Sequence, residues 1–277
     1  MKPAISATRI GGHAWRYFAA GTREGRVTST FRHGLNALFG EESAPTYVSI
    51  QTPAAPLHPW AIEVPGMPPR SGVGYAVRGT QFAVETAGTR FELLTAAREP
   101  LRIAPYSLAS AETAADNRVS LNRLLDERRP RSVEAFEGEI RAVVAQWQTT
   151  GDPEILLSIV GLGSGSTPSG DDVLVGILAG LTALSALSAA KQQLDASRQT
   201  LAGVSLRTHP AARQMLAAAA DGSFPEPLVD LVSALGDADP GANLAAAATR
   251  VLALGATSGR SFLAGVLASL VRSSQSS

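Results

Sequence analysis

The chain has no cysteine, so disulfides, thiolate metal sites and a cysteine nucleophile are all excluded. It has no excess charge: 24 Lys+Arg balance 24 Asp+Glu. No basic stripe stands out either, which argues against nucleic acid as a partner. Charged residues make up only 17% and aromatics 5%, while hydrophobic residues reach 45%. That balance supports a sizeable core and argues against disorder. Only four histidines are present, His13, His33, His58 and His209, and their spacing fits no metal-ligand pattern. The N-terminal stretch lacks the apolar core of a signal peptide, and a cytoplasmic protein is expected. One uncharged run, Val173 to Ala190, is close to the ~20 residues that span a bilayer. Its small residues, Gly176, Gly180, Thr182, Ser185 and Ser188, also suit tight helix packing, and a buried helix with no membrane contact is expected.

What is present is one phrase written twice. The first copy is Gly165-Ser-Thr-Pro-Ser-Gly-Asp-Asp-Val-Leu-Val-Gly-Ile-Leu-Ala-Gly-Leu181, and the second is Gly255-Ala-Thr-Ser-Gly-Arg-Ser-Phe-Leu-Ala-Gly-Val-Leu-Ala-Ser-Leu270. With Pro168 removed they align. Each opens on small hydroxyl and glycine residues and runs into an apolar helix with an internal glycine. A helix N-terminus presents backbone N–H groups without intrahelical partners and the positive end of the dipole, which together suit an anion. Two such ends predict a paired site for a small, doubly anionic ligand. The alternative is an old helix-pair duplication whose glycines only pack helices.

The chain divides by pattern. Residues 1–105 read as β-rich, with short strands at Tyr47 to Ile50, Ala61 to Val64, Gly74 to Val77, Gln81 to Glu85 and Arg90 to Leu94, punctuated by Gly and Pro. A short helix is expected around Arg32 to Phe39. These strands predict a small antiparallel sheet or barrel. Residues 106–277 read as all-helical, with helices at Ser110 to Arg129, Ser132 to Gln148 with Ser132 as N-cap, and Ile155 to Leu162. Further helices follow the first phrase at Leu194 to Leu206, Pro210 to Ala220, Pro225 to Leu235 and Ala242 to Leu254. The tail from Ser273 to Ser277 is expected to fray. The fold class is therefore α+β.

In the first phrase Thr167 fits an N-cap with Pro168 at the first helical position, and Ser169 with Asp172 fits an alternative capping box. Gly163, Gly165 and Gly170 remove side chains that would block approach to the helix end. The lysine of a Walker phosphate loop is missing. Asp171 and Asp172 are candidate acid–base or substrate-positioning groups, or carboxylates held by the helix dipole. They project about 100° apart, too far to share one metal ion. No cofactor is required, although a Mg²⁺ bridging one Asp and a phosphate stays open. In the second phrase Thr257, Ser258 and Gly259 repeat the hydroxyl–glycine pattern. Arg260 and Ser261 stand where the first copy has the two Asp, and Arg260 would suit an anion or a solvated surface. Weaker candidates are Arg32, His33 and Asn36 near the N-terminus, and Thr208 with His209 at a polar break between helices.

These residues resemble the AllH-like family, long catalogued as a domain of unknown function. The phrase carrying the resemblance is Gly161-Leu-Gly-Ser-Gly-Ser-Thr-Pro-Ser-Gly-Asp-Asp-Val-Leu-Val-Gly176, with Ser166 where leucine is more usual. It extends through Thr208 to Leu235 and Thr257 to Gly259, and more weakly to Val27 to Leu38 and the strands. The resemblance implies a subunit of oxamate carbamoyltransferase, converting oxalurate and phosphate to oxamate and carbamoyl phosphate, or the reverse. It implies AllF-like and AllG-like partner chains and a small anionic substrate of the carbamoyl phosphate, oxamate or phosphate class. On that reading Thr167, Ser169, Thr257 and Ser258 bind phosphate or an oxyanion. Asp171 or Asp172 accepts a hydrogen bond from, or deprotonates, the attacking amide. A non-catalytic assembly subunit and a stand-alone enzyme on another small amide or acyl phosphate are the alternatives.

Overall fold

The computed structural model describes residues 4–41, 45–66, 73–86, 88–127, 136–202, 207–239 and 241–273. It is α+β and divides into two compact units, Met1–Leu101 and Arg102–Ser277. In the first unit β1 (Ala4–Ser6) and β2 (Arg9–Gly11) lead into α1 (Gly12–Ala19). There follow β3 (Arg23–Phe31), β4 (Gly34–Phe39), β5 (Thr46–Gln51), β6 (Ala61–Glu63), β7 (Ala76–Gly79), β8 (Ala83–Glu85), β9 (Arg90–Glu92) and β10 (Ala97–Glu99). All ten strands form one sheet in the order β1-β9-β8-β7-β3-β4-β5-β6-β2-β10. Only Ala7 and Thr8 separate β1, at one end of that order, from β2, next to the other end. The sheet must therefore curl until its ends approach each other. Its concave core holds Ile10, Phe18, Phe39, Ile50 and Phe91, all fully buried.

The expected helix at Arg32 to Phe39 is not formed. Arg32 and His33 are the two-residue turn of a hairpin in which Phe31 pairs with Gly34 and Val27 with Ala37. Leu35, Ala37 and Phe39 all point inward, with exposures of 2%, 0% and 0%. That is the two-residue period of a strand, and eight residues are too few for periodicity alone to reject a helix.

The second unit contains α2 (Leu108–Glu127), α3 (Glu137–Thr150), a 3₁₀ segment (Pro153–Ile159), α4 (Ser169–Ala183), α5 (Ser188–Ala202), α6 (Pro210–Ala220), α7 (Glu226–Leu235), α8 (Gly241–Leu252) and α9 (Ser258–Ser273). Punctuation sets these bounds. Gly151 closes α3 at φ 76°, Pro153 opens the next segment, and Pro210 opens α6. The expected cap Ser132 and residues 274–277 lie outside the described residues.

Every residue of α4 is buried. The run Ser169–Ala186 is long and apolar enough to cross a membrane, and 89% of it lies inside the protein. It is the axis of this unit, with α5, α6, α7 and α9 packed on it. Its contact with α9 is made by backbone. A Cβ on Gly176 would stand 2.2 Å from the Phe262 carbonyl oxygen, and one on Gly265 would stand 2.1 Å from that of Val173. These are equivalent positions of the two copies, so the crossing is close to symmetric. One turn on, Gly180 faces Ser269, whose Oγ would lie 1.8 Å from an added Cβ. Such approach demands glycine and brings α4 and α9 side by side with their N-termini at the same end.

Candidate functional site

Because α4 and α9 run in parallel, the two hydroxyl–glycine turns meet. Thr167 Oγ1 and Ser258 Oγ lie 3.1 Å apart, and either can donate. The expected caps are not those observed. Pro168 itself occupies the N-cap position of α4, with no side-chain capping bond, and Asp172 N–H bonds the Pro168 carbonyl. Thr167 is thus displaced one residue outside the helix, and its hydroxyl turns to the second copy. Ser169, the expected cap of the alternative box, is instead the first residue of α4. The Asp172 carboxyl shares a hydrogen bond with the Ser258 hydroxyl.

The glycines divide into two groups. A Cβ on Gly170 would fall 1.9 Å from the Ile159 oxygen, and one on Gly259 would fall 1.9 Å from the Val251 oxygen. Their N–H groups bond Leu162 and Leu254 carbonyls at 2.8 and 3.0 Å. Both glycines therefore pack the first helical turn onto the preceding chain, and their N–H groups are engaged. Gly163, at φ 128°, presses on the peptide N–H of Ser169. Gly165, at φ 84°, has open space where a Cβ would be. Its backbone conformation, which L side chains rarely adopt, is what demands glycine. Ser169 is buried, while Thr167, Thr257 and Ser258 are half-buried.

The two carboxylates are separated as helical geometry requires. Asp171 turns to the chain preceding α6. Gly161 N–H donates to its Oδ1 at 3.0 Å, and the Thr208 hydroxyl donates to its Oδ2 through a short bond. Burial raises its pKa, and these two donors offset part of the rise. Asp172 turns toward α9 and is 2% exposed. Ser258 serves one of its oxygens, and Oδ2 is buried without a hydrogen-bond partner. Desolvation pushes its pKa up to about 8, opposed by the Ser258 bond and reinforced by the negative charge of Asp171. A buried carboxylate oxygen with no donor is strongly disfavoured. The neutral acid, which leaves only a carbonyl-like oxygen unpaired, is the favoured state at neutral pH.

The remaining candidates take other places. Arg260 donates from Nη1 to the Leu125 carbonyl at 3.1 Å, and its Nε lies 4.0 Å from Glu137. His209 caps α6, its Nδ1 accepting from Ala211 N–H at 3.2 Å. Arg32, His33 and Asn36 belong to the first unit. Arg32 is exposed in its hairpin turn. The Asn36 side chain bridges Ser29 Oγ at 3.0 Å and Ser49 Oγ at 2.7 Å. Sequence reasoning missed Gly161 as a holder of Asp171, since a backbone donor leaves no side-chain signal. It also missed the bond across the two copies, although aligning them hints at it. Among the described residues no group of three His, Asp or Glu is placed to hold a metal ion.

Residues 159–270 match the model of the family described as oxamate carbamoyltransferase subunit AllH. The matched span holds both hydroxyl–glycine turns, both Asp and the α4–α9 crossing, while the weaker resemblance over Val27 to Leu38 and the strands lies outside it. No curated protein and no solved structure matches the chain.

Proposed function

We propose that the protein is a subunit of a carbamoyltransferase of the oxamate type, acting with partner chains, and that its paired helix ends bind the small anion of that reaction. The observation that carries this reading is the junction of the two turns. The 3.1 Å contact between Thr167 and Ser258 joins two parallel helix N-termini directly beside a buried carboxyl with an unpaired oxygen. Two dipoles pointing the same way reinforce each other, and such an end stabilises a dianion such as carbamoyl phosphate. Carbamoyl transfer builds negative charge on a carbonyl oxygen, which fixed hydroxyls and N–H groups stabilise without reorganising. The family match supplies the reaction class, and the word subunit in its description supports partners, for which AllF-like and AllG-like chains are the natural candidates. The reading takes the protein to be cytoplasmic and independent of a cofactor.

The test is calorimetric titration of the purified chain with carbamoyl phosphate, with inorganic phosphate as competitor and with and without Mg²⁺. Saturable, phosphate-competed binding that weakens in Thr167→Ala and Ser258→Ala is the expected result. A second reading has its own support: Gly170, Gly176, Gly259 and Gly265 are all filled against backbone, as glycines that only pack helices would be. An assembly subunit of that kind would bind no anion either alone or with its partners.

A further inference from the structure

Three side chains drawn from both copies form a connected line. Thr167 is half-buried, Ser258 lies 3.1 Å behind it, and Asp172, 2% exposed, shares a hydrogen bond with Ser258. Each hydroxyl has one proton, so the line has only two consistent arrangements. With Asp172 ionised, Thr167 donates to Ser258 and Ser258 donates to the carboxylate, which leaves Thr167 offering lone pairs outward. With Asp172 neutral, its O–H donates to Ser258 and Ser258 donates to Thr167, which frees the Thr167 O–H to point outward. The unpartnered Oδ2 of Asp172 is the independent sign that this carboxyl is not placed for structure alone, since a merely structural carboxyl would be saturated, as that of Asp171 is.

We propose that Thr167, Ser258 and Asp172 are a two-way hydroxyl relay, which presents a donor to the bound anion when Asp172 is protonated and takes up the proton of the reacting nitrogen when it is not. This rests on the carbamoyl-transfer reading. The amide nitrogen forms a bond to the carbamoyl carbon as the carbon–oxygen bond to phosphate breaks. The nitrogen's proton goes to Thr167 Oγ1, the Thr167 proton to Ser258, and the Ser258 proton to Asp172. Return along the same line delivers one proton to the departing phosphate, so the hydroxyls and the carboxyl end as they began. Asp172 does not touch the ligand; it holds the proton at the buried end. Asp171 is the one charge that acts on it among the described residues, Ser258 being its partner from α9.

The relay is tested first in the free, full-length chain, by following the carboxyl band of Asp172 with infrared difference spectroscopy across pH, assigned by its loss in Asp172→Asn. Ser258→Ala should move the Asp172 midpoint upward by about one unit, the loss of one hydrogen bond to a charged group. Thr167→Val, which does not touch Asp172, should move it in the same direction by a few tenths, because linked hydrogen bonds polarise one another. Ser258→Thr should restore the wild-type midpoint. A Thr167→Val midpoint equal to wild type overturns the relay and leaves the anion reading untouched. The second arm uses sulfate, a dianion that does not titrate in this range. Its affinity should fall about tenfold per pH unit above the Asp172 midpoint. It should be independent of pH in Asp172→Asn, whose amide N–H holds the line in the outward-donating arrangement. Sulfate affinity with no such pH dependence overturns the relay. No binding of sulfate, phosphate or carbamoyl phosphate, even with partner chains, overturns the anion reading and with it the relay's substrate.

Discussion

Asp171 and Asp172 open α4 where Arg260 and Ser261 open α9, on backbones that otherwise repeat. The glycines match in pairs: Gly170 with Gly259 against the preceding chain, and Gly176 with Gly265 at the crossing. The hydroxyls match too, Thr167 with Thr257 and Ser169 with Ser258. What differs is charge. The first copy carries both buried carboxyls, while the second turns its arginine away to Leu125 and Glu137. Backbone packing is thus shared equally between the copies, and the chemistry is concentrated in one of them. A fold that needed only the crossing would not need a buried Asp172 with an unpaired oxygen.

The sharpest way to break this asymmetry is Asp172→Asn. In the assembled enzyme it should lower carbamoyl transfer by about 10²–10⁴-fold, the range for a lost acid–base group. Stability should respond in the opposite sense. Burial holds Asp172 protonated up to about pH 8, whereas in the unfolded chain it ionises near the ordinary aspartate value of 3.8. Across that interval the folded state binds the extra proton. The stabilisation is therefore complete below about pH 4, is lost as pH rises toward 8 and is flat above. Urea midpoints recorded between pH 4 and 9 should fall with pH in the wild type and fall less in Asp172→Asn, with the residual slope shared by Asp171, whose pKa is raised in the same direction.

Gly176→Val and Gly265→Val probe what the copies share. Each forces a Cβ to within 2.2 or 2.1 Å of a facing carbonyl oxygen, so α4 and α9 must separate. Each should destabilise by about 3 kcal/mol, and equal losses in urea unfolding would confirm the symmetry of the crossing. Next in size is Thr208→Val, which removes one of the two donors to Asp171 while Gly161 N–H remains. Unfolding near neutral pH should show a loss of about 1–2 kcal/mol. The smallest effect belongs to Arg260→Ala. Its contact with Glu137 is long and its bond to Leu125 is partly exposed, so less than about 1 kcal/mol is expected. Anion affinity should change less than in Ser258→Ala. A larger loss of affinity would show that the second copy contributes charge to the site after all.

Much of the second unit was legible in advance. Pro210 and Leu235 mark helix bounds where expected, because Pro, Gly and Asp act locally through φ and through missing or extra hydrogen-bonding groups. The first unit was harder. β1, β2 and β10, three residues each, give too short a pattern, and their existence depends on partners far along the chain, as with β1 on β9 and β2 on β6; α1 and the nine-residue β3 were not anticipated either. The Arg32 to Phe39 segment shows the limit most clearly, since β3 and β5 pair with Gly34 to Phe39 on either side and select the strand. The cap of α4 was misplaced by one residue, because whether Thr167 turns inward to cap or outward to Ser258 depends on a helix 91 positions away in sequence.

By itself the sequence determined the α+β division, the buried apolar helix, the duplicated turns and the roughly 100° divergence of Asp171 from Asp172. All of these follow from composition, local backbone preference and helical periodicity. Only the tertiary structure decided that the two turns meet, that Asp171 is saturated while Asp172 keeps a bare oxygen, and that Arg260 serves α2. The reason is physical. Hydrogen-bond saturation and desolvation depend on what the rest of the chain brings within about 3 Å, and that is fixed by the glycine-mediated contact of α4 with α9.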